Sequence, residues 1–182
     1  ALWKILDQQI LNPFLLGVQK DLLYFRGIIY AGIMVTADGP KLLEFNVRFG
    51  DPETQAVLAR LDSDLVEVLC ATADARLDQI ELKWSEKPAV CVVMTSEGYP
   101  GAYQKGFPIS GIEEAEKTGA MVFHAGTKIQ NGQLVTAGGR VLGVTALGNT
   151  LRQAVDNAYR AVEKISWKGA TFRHDIASRA LF

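Results

Sequence analysis

The run KLLEFNVRFGDPETQ, residues 41–55, alternates polar and apolar side chains before it reaches a glycine, an aspartate and a proline. The alternation sets three polar residues against four apolar ones: Glu44, Asn46 and Arg48 against Leu43, Phe45, Val47 and Phe49. A period of two is that of a β-strand, so we expect the polar side chains to share one face and the apolar ones to pack on the other. After this strand the period changes, and we expect Asp51 to cap a short helix that has Pro52 at its first position.

The composition is that of an ordinary globular protein. The chain has 182 residues, which is enough for one or two domains with a hydrophobic core, and 48% of them are apolar and 21% charged. The net charge of -1 gives no field that would attract nucleic acid or an acidic membrane. No run approaches the roughly 20 apolar residues of a bilayer crossing. We therefore expect neither nucleic acid nor a membrane as a partner.

The two cysteines indicate the compartment. Cys70 and Cys91 both lie in apolar runs, a pattern that favours buried, reduced thiols over a disulfide framework. The sequence therefore predicts a cytoplasmic protein.

The N-terminal run is apolar but periodic. Leu2, Ile5, Leu6 and Ile10 recur at helical spacing, which predicts a packed amphipathic helix and not a signal peptide. Neither an initiator methionine nor an N-cap residue precedes Trp3. We therefore expect a chain that begins inside a helix, as part of a longer protein would.

The first half of the chain reads as a hairpin followed by helices. The runs YFRGIIYAGIMVT and KLLEFNVRF predict two strands that turn at Asp38-Gly39. A short helix is expected over Val57, Leu58 and Leu61, and a second one from about Asp64 to Cys70. A charged connection with a strand-like piece (QIELKW) follows, and here we expect a domain boundary, between residues 76 and 77.

The second half reads as an antiparallel sheet with one long helix. AVCVVMTS, MVFHAGTKI, QLVTA and RVLGVTAL predict four strands, with tight turns at Asn131-Gly132 and Gly138-Gly139. Asn149 or Thr150 is expected to cap a helix with one apolar stripe, and a turn and a short final helix are expected after it. The fold class predicted is α+β.

Two groups of polar residues are candidates for binding a metal ion or an anion. A carboxylate and an amide oxygen at Glu44 and Asn46 suit Mg²⁺, and Arg48 would hold a phosphate or carboxylate. Lys128 and Arg140, with the Gly138-Gly139 turn between them in sequence, would cradle a phosphate. The alternative interpretation of both groups is structural: a strand with its polar face in water, and two solvated charges at strand ends.

A family resemblance gives these residues a more specific meaning. EFNVRFGDPETQ closely resembles the signature of the glycinamide ribonucleotide synthetase (phosphoribosylamine–glycine ligase) family of ATP-grasp enzymes. YAGIMVT, GYPGAYQKG, VFHAGTK, GGRVLGVTALG and FRHDIASRAL resemble the same family in the same order, from about Tyr24 to the end of the chain.

The resemblance implies an ATP-dependent ligation in purine synthesis. ATP would phosphorylate the glycine carboxylate, and the amine of 5-phosphoribosylamine would displace phosphate to give glycinamide ribonucleotide. It also implies a role for each of eight residues: Mg²⁺ or Mn²⁺ ligation for Glu44 and Asn46, catalysis for Arg48, glycine binding for Gly50 and Asp51, and phosphoribosylamine binding for Lys128, Gly139 and Arg140.

The resemblance also shows what the chain lacks. Many ATP-grasp enzymes carry another metal-binding acid on the preceding strand, where this chain has Gly32-Ile33-Met34. Nothing resembles the clamp that holds ATP. The chain is therefore expected to be a C-terminal fragment: residues 1–76 would end the ATP-grasp domain, and residues 77–182 would form a small, antiparallel, barrel-like C-terminal domain. We expect it to need the missing N-terminal portion, to be inactive alone and to bind ATP weakly or not at all.

Alternatives outside this ligase remain. A biotin-dependent type of ATP-grasp carboxylase shares Glu-x-Asn-x-Arg, although GDPE and GGRVLGVTALG speak against it. A non-catalytic interaction module is the other alternative. His124 is expected to be structural, and the sequence assigns no chemistry to Tyr99 and Tyr103, which flank Gly101 in a loop.

Overall fold

The structure, a computed structural model, describes residues 2–181. The chain divides into two compact units, Ala1–Gly50 with Asp64–Glu81 and Asp51–Ser63 with Leu82–Phe182. The domain division between residues 76 and 77 stays a prediction, because a unit defined by packing and a domain family need not share a boundary.

The first unit begins with three consecutive helical segments: α1 (Leu2–Leu6), a π-helical turn (Asp7–Leu11) and α2 (Asn12–Lys20). Pro13 accounts for the wider turn, because proline has no N–H and its ring clashes with a carbonyl of the preceding turn in a regular α-helix. The predicted helix is confirmed, but its expected packing holds only at Ile10, which is buried, because Leu2 and Ile5 are exposed.

Two antiparallel strands of the first unit, β1 (Tyr30–Thr36) and β2 (Gly39–Asn46), form the predicted hairpin. At its turn the Thr36 hydroxyl donates to the carbonyl of Gly39 at 2.8 Å, and Gly39 has a φ of 102°, which favours glycine. The strands expected from Tyr24 and up to Phe49 are shorter in the structure, because pairing stops where Tyr30 faces Asn46.

A β-bulge interrupts β2. Gly32 faces Glu44, whereas the next residue, Ile33, faces Leu42, so Leu43 is the extra residue of the ladder. The bulge lies before Glu44 and leaves the alternation from Glu44 to Asn46 intact.

The apolar side of β2 is only partly covered. Phe45 packs on Phe14 with ring centroids 4.2 Å apart, but the exposed fractions of Leu43 and Val47 are 64% and 71%. The expectation that all four apolar side chains pack on one face is therefore wrong for these two. The bulge displaces Leu43, and Val47 falls in a bend after the strand has ended.

The helix α4 (Leu65–Ala73) lies in the first unit and begins where the sequence predicts. The Asp64 carboxylate accepts hydrogen bonds from the N–H groups of Val66, at 2.7 Å, and Glu67, at 3.2 Å, which satisfies two donors of the first turn. A short 3₁₀ turn, Leu77–Gln79, follows this helix.

Both cysteines are free thiols, as expected. Cys91 is half-buried, but Cys70 is exposed, because its neighbour Ala71 takes the buried position of α4. The expectation of a buried thiol is therefore wrong at Cys70.

The second unit is built on antiparallel strands. They are β3 (Ala89–Ser96), β4 (Met121–His124), β5 (Thr127–Gln130), β6 (Gln133–Thr136), β7 (Arg140–Leu147) and β8 (Ala170–Phe172). Four of them form a sheet in the order β4-β7-β3-β8, and β5 pairs with β6 in a separate hairpin. Within residues 2–181, these pairings leave β4 and β8 at the edges of an open sheet and do not close a barrel.

The hydrophobic core of this unit lies between β3, β7 and the long helix α6 (Leu151–Val162). Every second residue of β3 is buried, and the predicted stripe of α6 is confirmed. The buried apolar residues of these three elements include Val90, Val92, Met94, Val141, Leu142, Val144, Ala154, Val155, Ala158, Ala161 and Val162. A short helix that the sequence did not predict, α5 (Ile112–Glu116), packs against α6 and β4.

The segment 51–63 packs with the second unit. It contains α3 (Glu53–Leu58), which contacts β3 and β7. The Arg60 guanidinium donates to the carbonyl of Ser85 at 2.9 Å, and Leu61 forms an isolated bridge with Trp84. This bridge is the pairing recorded in the run QIELKW, so the strand expected there is wrong.

One further expectation about the second unit is wrong, and one strand was not predicted. MVFHAGTKI forms two strands, because a turn at Gly126 brings it so close to Gly138 that an added Cβ would lie 2.6 Å from the Gly138 Cα. At the end of the chain the expected turn (residues 168–169) and a short 3₁₀ helix (Ser178–Ala180) are present, but the strand β8 between them, which pairs with β3, was not predicted.

The fold class is α+β with antiparallel sheets, as the sequence predicts. In the part of the chain that the structure describes, no helix has the length and apolar character needed to cross a bilayer.

The cap of α6 provides a test of this architecture. The Thr150 hydroxyl accepts from the Gln153 N–H at 3.2 Å, and the Gln153 side chain accepts in return from the Asn149 N–H at 2.8 Å. Thr150→Ala should lower the free energy of unfolding by about 1 kcal/mol in urea denaturation, because the Gln153 N–H of the first turn loses its acceptor. Thr150→Ser keeps the hydroxyl and should stay close to the wild type. Equal destabilisation by both changes would contradict the capping role.

Candidate active site

In the first unit, the end of β2 brings Asn46 and Arg48 together. The Arg48 guanidinium donates to the side-chain oxygen of Asn46 at 3.3 Å and to the carbonyl of Phe49 at 2.7 Å. The Asn46 side-chain nitrogen is buried and has no hydrogen-bond partner among the described residues. The recorded hydrogen bond of the Asn46 side chain is therefore made by its oxygen.

Glu44 lies over a glycine. Gly32 faces Glu44 across the hairpin, and a Cβ added at Gly32 would lie 3.2 Å from the Glu44 Cγ. An acidic side chain on β1 at this position would therefore compete with Glu44 for the same space. The Glu44 side chain is exposed, and no ion pair or hydrogen bond to its carboxylate is recorded within residues 2–181.

Glu44 and Asn46 have the chemistry of metal ligands. No group of three or more His, Cys, Asp or Glu side chains that could hold a metal occurs within residues 2–181. Glu44 and Asn46 offer one carboxylate and one amide oxygen, which are hard donors, and Mg²⁺ commonly takes one or two carboxylates plus phosphates and water. The donor set fits a divalent cation that is shared with a nucleotide.

In the second unit, Asp51 pairs with Arg140. One terminal nitrogen of the Arg140 guanidinium, Nη1, lies 3.2 Å from a carboxylate oxygen of Asp51 and donates to its backbone carbonyl at 3.0 Å. Pro52 takes the N-cap position of α3 and provides no side-chain cap. The expectation that Asp51 caps this helix is therefore wrong: the carboxylate is engaged by the guanidinium.

Tyr99 is the residue that sequence reasoning missed. Its hydroxyl accepts a hydrogen bond from the Nε–H of Arg140 at 3.0 Å. This hydrogen bond, followed by the negative charge of Asp51, raises the pKa of Arg140 above its usual value. The run GYPGAY marks an aromatic loop, but nothing local in it specifies a partner 41 residues away.

A cavity of about 560 Å³ opens beside this arginine in the second unit. Arg140 and Arg173 contribute cationic groups to it, and the Arg173 guanidinium is held by both oxygens of Asp175, at 2.8 and 2.6 Å. The other lining residues are mostly apolar or uncharged: Pro52, Cys91, Val93, Thr95, Tyr99, Thr171, Phe172 and Ile176.

Cys91 lies at the wall of this cavity. Burial raises the pKa of its thiol, the negative charge of Asp51 adds to the effect, and the nearby Thr145 hydroxyl offsets part of it. Thr145 is fully buried, and no aligned hydrogen bond to its hydroxyl is recorded among the described residues. The thiol is therefore held in its neutral form.

The remaining predicted residues are less closely grouped. Lys128 is exposed on β5 opposite Val135, and no ion pair of its ammonium is recorded within residues 2–181. Gly139 is buried, and its carbonyl accepts from the Ser96 N–H at 2.8 Å. Gly50 is buried at the end of the first segment of the first unit. The recorded side-chain hydrogen bonds of Arg140 go to Asp51 and Tyr99.

Comparison with known families gives these residues a context. Residues 89–179 match the phosphoribosylglycinamide synthetase C domain, and residues 1–54 match the ATP-grasp (A) domain of the same synthetase. The first of these matches covers half of the chain. The chain belongs to the phosphoribosylglycinamide synthetase family.

Curated members of this family are similar along nearly all of the chain. It is 48% identical over 173 residues to the phosphoribosylamine–glycine ligase of Caldanaerobacter subterraneus subsp. tengcongensis, covering 95% of the chain and 41% of that protein. It is 49% identical over 179 residues to the chloroplastic phosphoribosylamine–glycine ligase of Arabidopsis thaliana, covering 96% of the chain and 34% of that protein. The chain thus spans about two fifths of the length of such relatives, in accord with the expectation of a partial chain.

Solved structures agree with the fold. The phosphoribosylamine–glycine ligase of Thermotoga maritima superposes with a TM-score of 0.74 at 36% identity, covering 90% of this chain and 40% of that one. The N5-carboxyaminoimidazole ribonucleotide synthetase of the same organism has a TM-score of 0.54 at 20% identity, covering 78% of this chain and 37% of that one. The second likeness concerns the fold alone.

The half-buried thiol of Cys91 predicts that the stability of the folded chain depends on pH. Because the pKa of Cys91 is raised in the folded chain, the unfolded chain loses this proton at a lower pH. The neutral Cys91 thiol therefore contributes to the free energy of unfolding. This contribution is complete below the usual thiol pKa of about 8.5 and is lost as the pH rises through the raised pKa of the folded chain. Urea denaturation across this range should therefore show a steeper fall in stability for the wild type than for Cys91→Ala.

Cys70→Ala is the matched control, because it removes a thiol from the exposed surface. It should keep the wild-type pH dependence. An identical pH dependence in the wild type and Cys91→Ala would contradict the effect of burial.

Proposed function

We propose that this chain is the C-terminal part of an ATP-dependent ligase that joins glycine to 5-phosphoribosylamine through a glycyl phosphate. The observation that carries the proposal is the order of the two matches: an ATP-grasp (A) domain match at residues 1–54 precedes a C domain match at residues 89–179, and the similar curated proteins are named phosphoribosylamine–glycine ligase. Because the chain spans about 41% of such a relative, we propose that activity needs the remainder of the ligase.

Arg48 is the residue we assign to catalysis. Its guanidinium lies at the end of β2, where one nitrogen contacts the Asn46 oxygen and another the Phe49 carbonyl. Guanidinium donors suit the oxygens of an acyl phosphate, and a fixed cation stabilises the charge that develops when phosphate leaves. Arg48 would therefore stabilise the glycyl phosphate and its transition state.

Glu44 and Asn46 would hold a divalent cation, Mg²⁺ or Mn²⁺. Such a cation, when bound with ATP, neutralises phosphate charge during phosphoryl transfer. The chain contributes the exposed carboxylate of Glu44, which the bare backbone of Gly32 accommodates, and the amide oxygen of Asn46.

Asp51 and Arg140 would each bind a substrate. The Asp51 carboxylate, beside Gly50, suits the ammonium of glycine, and Arg140, with Lys128 and the backbone of Gly139, suits the phosphate of phosphoribosylamine. Asp51 and Arg140 pair with each other at 3.2 Å, and both side chains are about half exposed. The recorded contacts use Nη1 of the guanidinium and one carboxylate oxygen, so each group keeps another atom for a substrate, and a weak, exposed ion pair opposes such binding little.

A cytoplasmic location is also proposed. Its support is that Cys70 and Cys91 are both free thiols, which is usual for proteins of reducing compartments.

The first test concerns the metal ligand. In the full-length ligase that carries this chain, Glu44→Gln should lower kcat by about 10²-fold, the scale of losing one electrostatic contact to a transferring phosphoryl group. The assay should measure glycinamide ribonucleotide, with glycine and bicarbonate compared as substrates. Glu81→Gln is the matched control, because it neutralises another exposed acid of the first unit. Undiminished turnover by Glu44→Gln, or product from bicarbonate in place of glycine, would contradict the proposal.

A second readout does not require activity. Mn²⁺ added to the isotope-labelled chain should broaden the backbone NMR signals of Glu44 and Asn46, because an unpaired-electron ion relaxes nearby nuclei. Glu44→Gln should abolish this broadening, and Glu81→Gln should preserve it. Broadening that is unchanged in Glu44→Gln would place the cation elsewhere.

Gly32 offers a further prediction. A Cβ at this position would push the Glu44 side chain by a few tenths of an ångström, so Gly32→Ala should lower kcat about three- to tenfold while the chain still folds. Gly17→Ala is the matched control, because nothing lies within 4 Å of a Cβ added there and alanine favours a helix. Equal kinetics for Gly32→Ala and the wild type would show that the position of Glu44 is not critical.

A further inference from the structure

Tyr99 has a place in the second unit that neither the family match nor the motifs explain. Its hydroxyl accepts from the Nε–H of Arg140 at 3.0 Å, whereas a different nitrogen of the guanidinium, Nη1, meets Asp51. We propose that Tyr99 is the positioning residue that fixes the orientation of the Arg140 guanidinium at the cavity. The proposal deepens the proposed function, and its kinetic part rests on the role given there to Arg140.

The ring of Tyr99 is held against bare backbone. A Cβ added at Gly139 would lie 2.2 Å from the Cδ2 of Tyr99 and 2.8 Å from its Cε2, so the ring packs directly on the Gly139 backbone. The Tyr103 ring meets Tyr99 edge-on, with centroids 6.2 Å apart. Gly139 thus has a structural reason to be glycine: any side chain there would displace the ring that contacts Arg140.

The backbone of the same loop is tied to the strand that carries Arg140. Ser96, at the end of β3, donates its N–H to the Gly139 carbonyl at 2.8 Å and its hydroxyl to the Gly138 carbonyl at 2.9 Å. The Tyr99 N–H in turn donates to the Ser96 carbonyl at 3.1 Å. Ser96 is buried, so these bonds are shielded from water. The position of Tyr99 relative to the start of β7 is therefore fixed at the main chain and at the ring.

These contacts use part of the hydrogen-bonding capacity of the Arg140 guanidinium. A guanidinium has five N–H donors, of which Nε–H goes to Tyr99 and those of Nη1 go to the carboxylate and carbonyl of Asp51. No partner of Nη2 is recorded within residues 2–181, and Arg140 and Tyr99 both line the cavity. With two of its nitrogens held, the planar group presents the third to a ligand in one orientation.

Positioning is tested in the chain itself by NMR. Tyr99→Phe removes the acceptor and keeps the ring, so hydrogen exchange of the Arg140 Nε–H with water should become about five- to tenfold faster, as expected when one ordinary hydrogen bond is lost. Tyr103→Phe is the matched control, because it also removes one ring hydroxyl. Within residues 2–181, no contact of the Tyr103 hydroxyl with Arg140 is recorded. Unchanged exchange in Tyr99→Phe, or equal acceleration in both variants, would overturn the proposal.

The effect on substrate is tested in the full-length ligase by a double-mutant cycle. Tyr99→Phe should raise the KM for phosphoribosylamine about five- to tenfold and change kcat less than about twofold, since an orientation for binding is lost and the reacting groups are untouched. In an Arg140→Ala background the same change should have no further effect, because the group that it orients is absent. An equal loss in both backgrounds would show that Tyr99 acts independently of Arg140 and would overturn the proposal.

The two experiments separate this inference from the proposed function. If Arg140→Ala leaves the kinetics for phosphoribosylamine unchanged, the substrate role given to Arg140 is wrong. The exchange of the Arg140 Nε–H then still decides whether Tyr99 orients the guanidinium.

Discussion

The pairing of β3 with β7 is the constraint on which the second unit depends. Its ladder runs from Ala89 opposite Leu147 to Thr95 opposite Arg140. A strand has two faces, and β3 uses both: Val90, Val92 and Met94 enter the core, while Cys91, Val93 and Thr95 line the cavity. Because core packing fixes the register, it also fixes which side chains reach the cavity. Arg140 is the first residue of β7, so its backbone is anchored by the ladder, and only its side chain needs further orientation.

Charges at the cavity are compensated locally. Arg140 is paired with Asp51 and Arg173 with Asp175, and all four side chains are substantially exposed. Such pairs add little to stability, because solvent screens them. Their value lies in keeping cationic groups in place without burying an unpaired charge, which would be costly. In the first unit, by contrast, no ion pair of Glu44 is recorded within residues 2–181. A cation at Glu44 would therefore compete with water alone, whereas an anion at Arg140 would share the guanidinium with a carboxylate.

Local rules predicted the elements that depend on neighbours in sequence. The hairpin at Gly39, the start of α4 and the stripe of α6 are as expected, because turn residues and helical period act within a few residues. The bulge at Leu43, the strand β8 and the break of the run at Gly126 were not predicted. Each depends on a contact between distant segments, such as the approach of Gly126 to Gly138. The alternating spacing of polar residues in β2 also left open whether its polar face is functional or simply solvated. The family resemblance, and not the spacing, implied a function for it.

Asp51 shows why the candidate site was harder to predict than the fold. Aspartate before a proline and a glutamate favours an N-cap, since its carboxylate is within reach of the free N–H groups of the first turn. The partner it takes is Arg140, 89 residues away, whose guanidinium contacts both the carboxylate and the backbone carbonyl of Asp51. The position of this carboxylate therefore depends on where β7 begins and on what holds Arg140, and not on α3. A residue placed by its own helix could be predicted from the sequence, but one placed by a distant strand requires the fold to be known first.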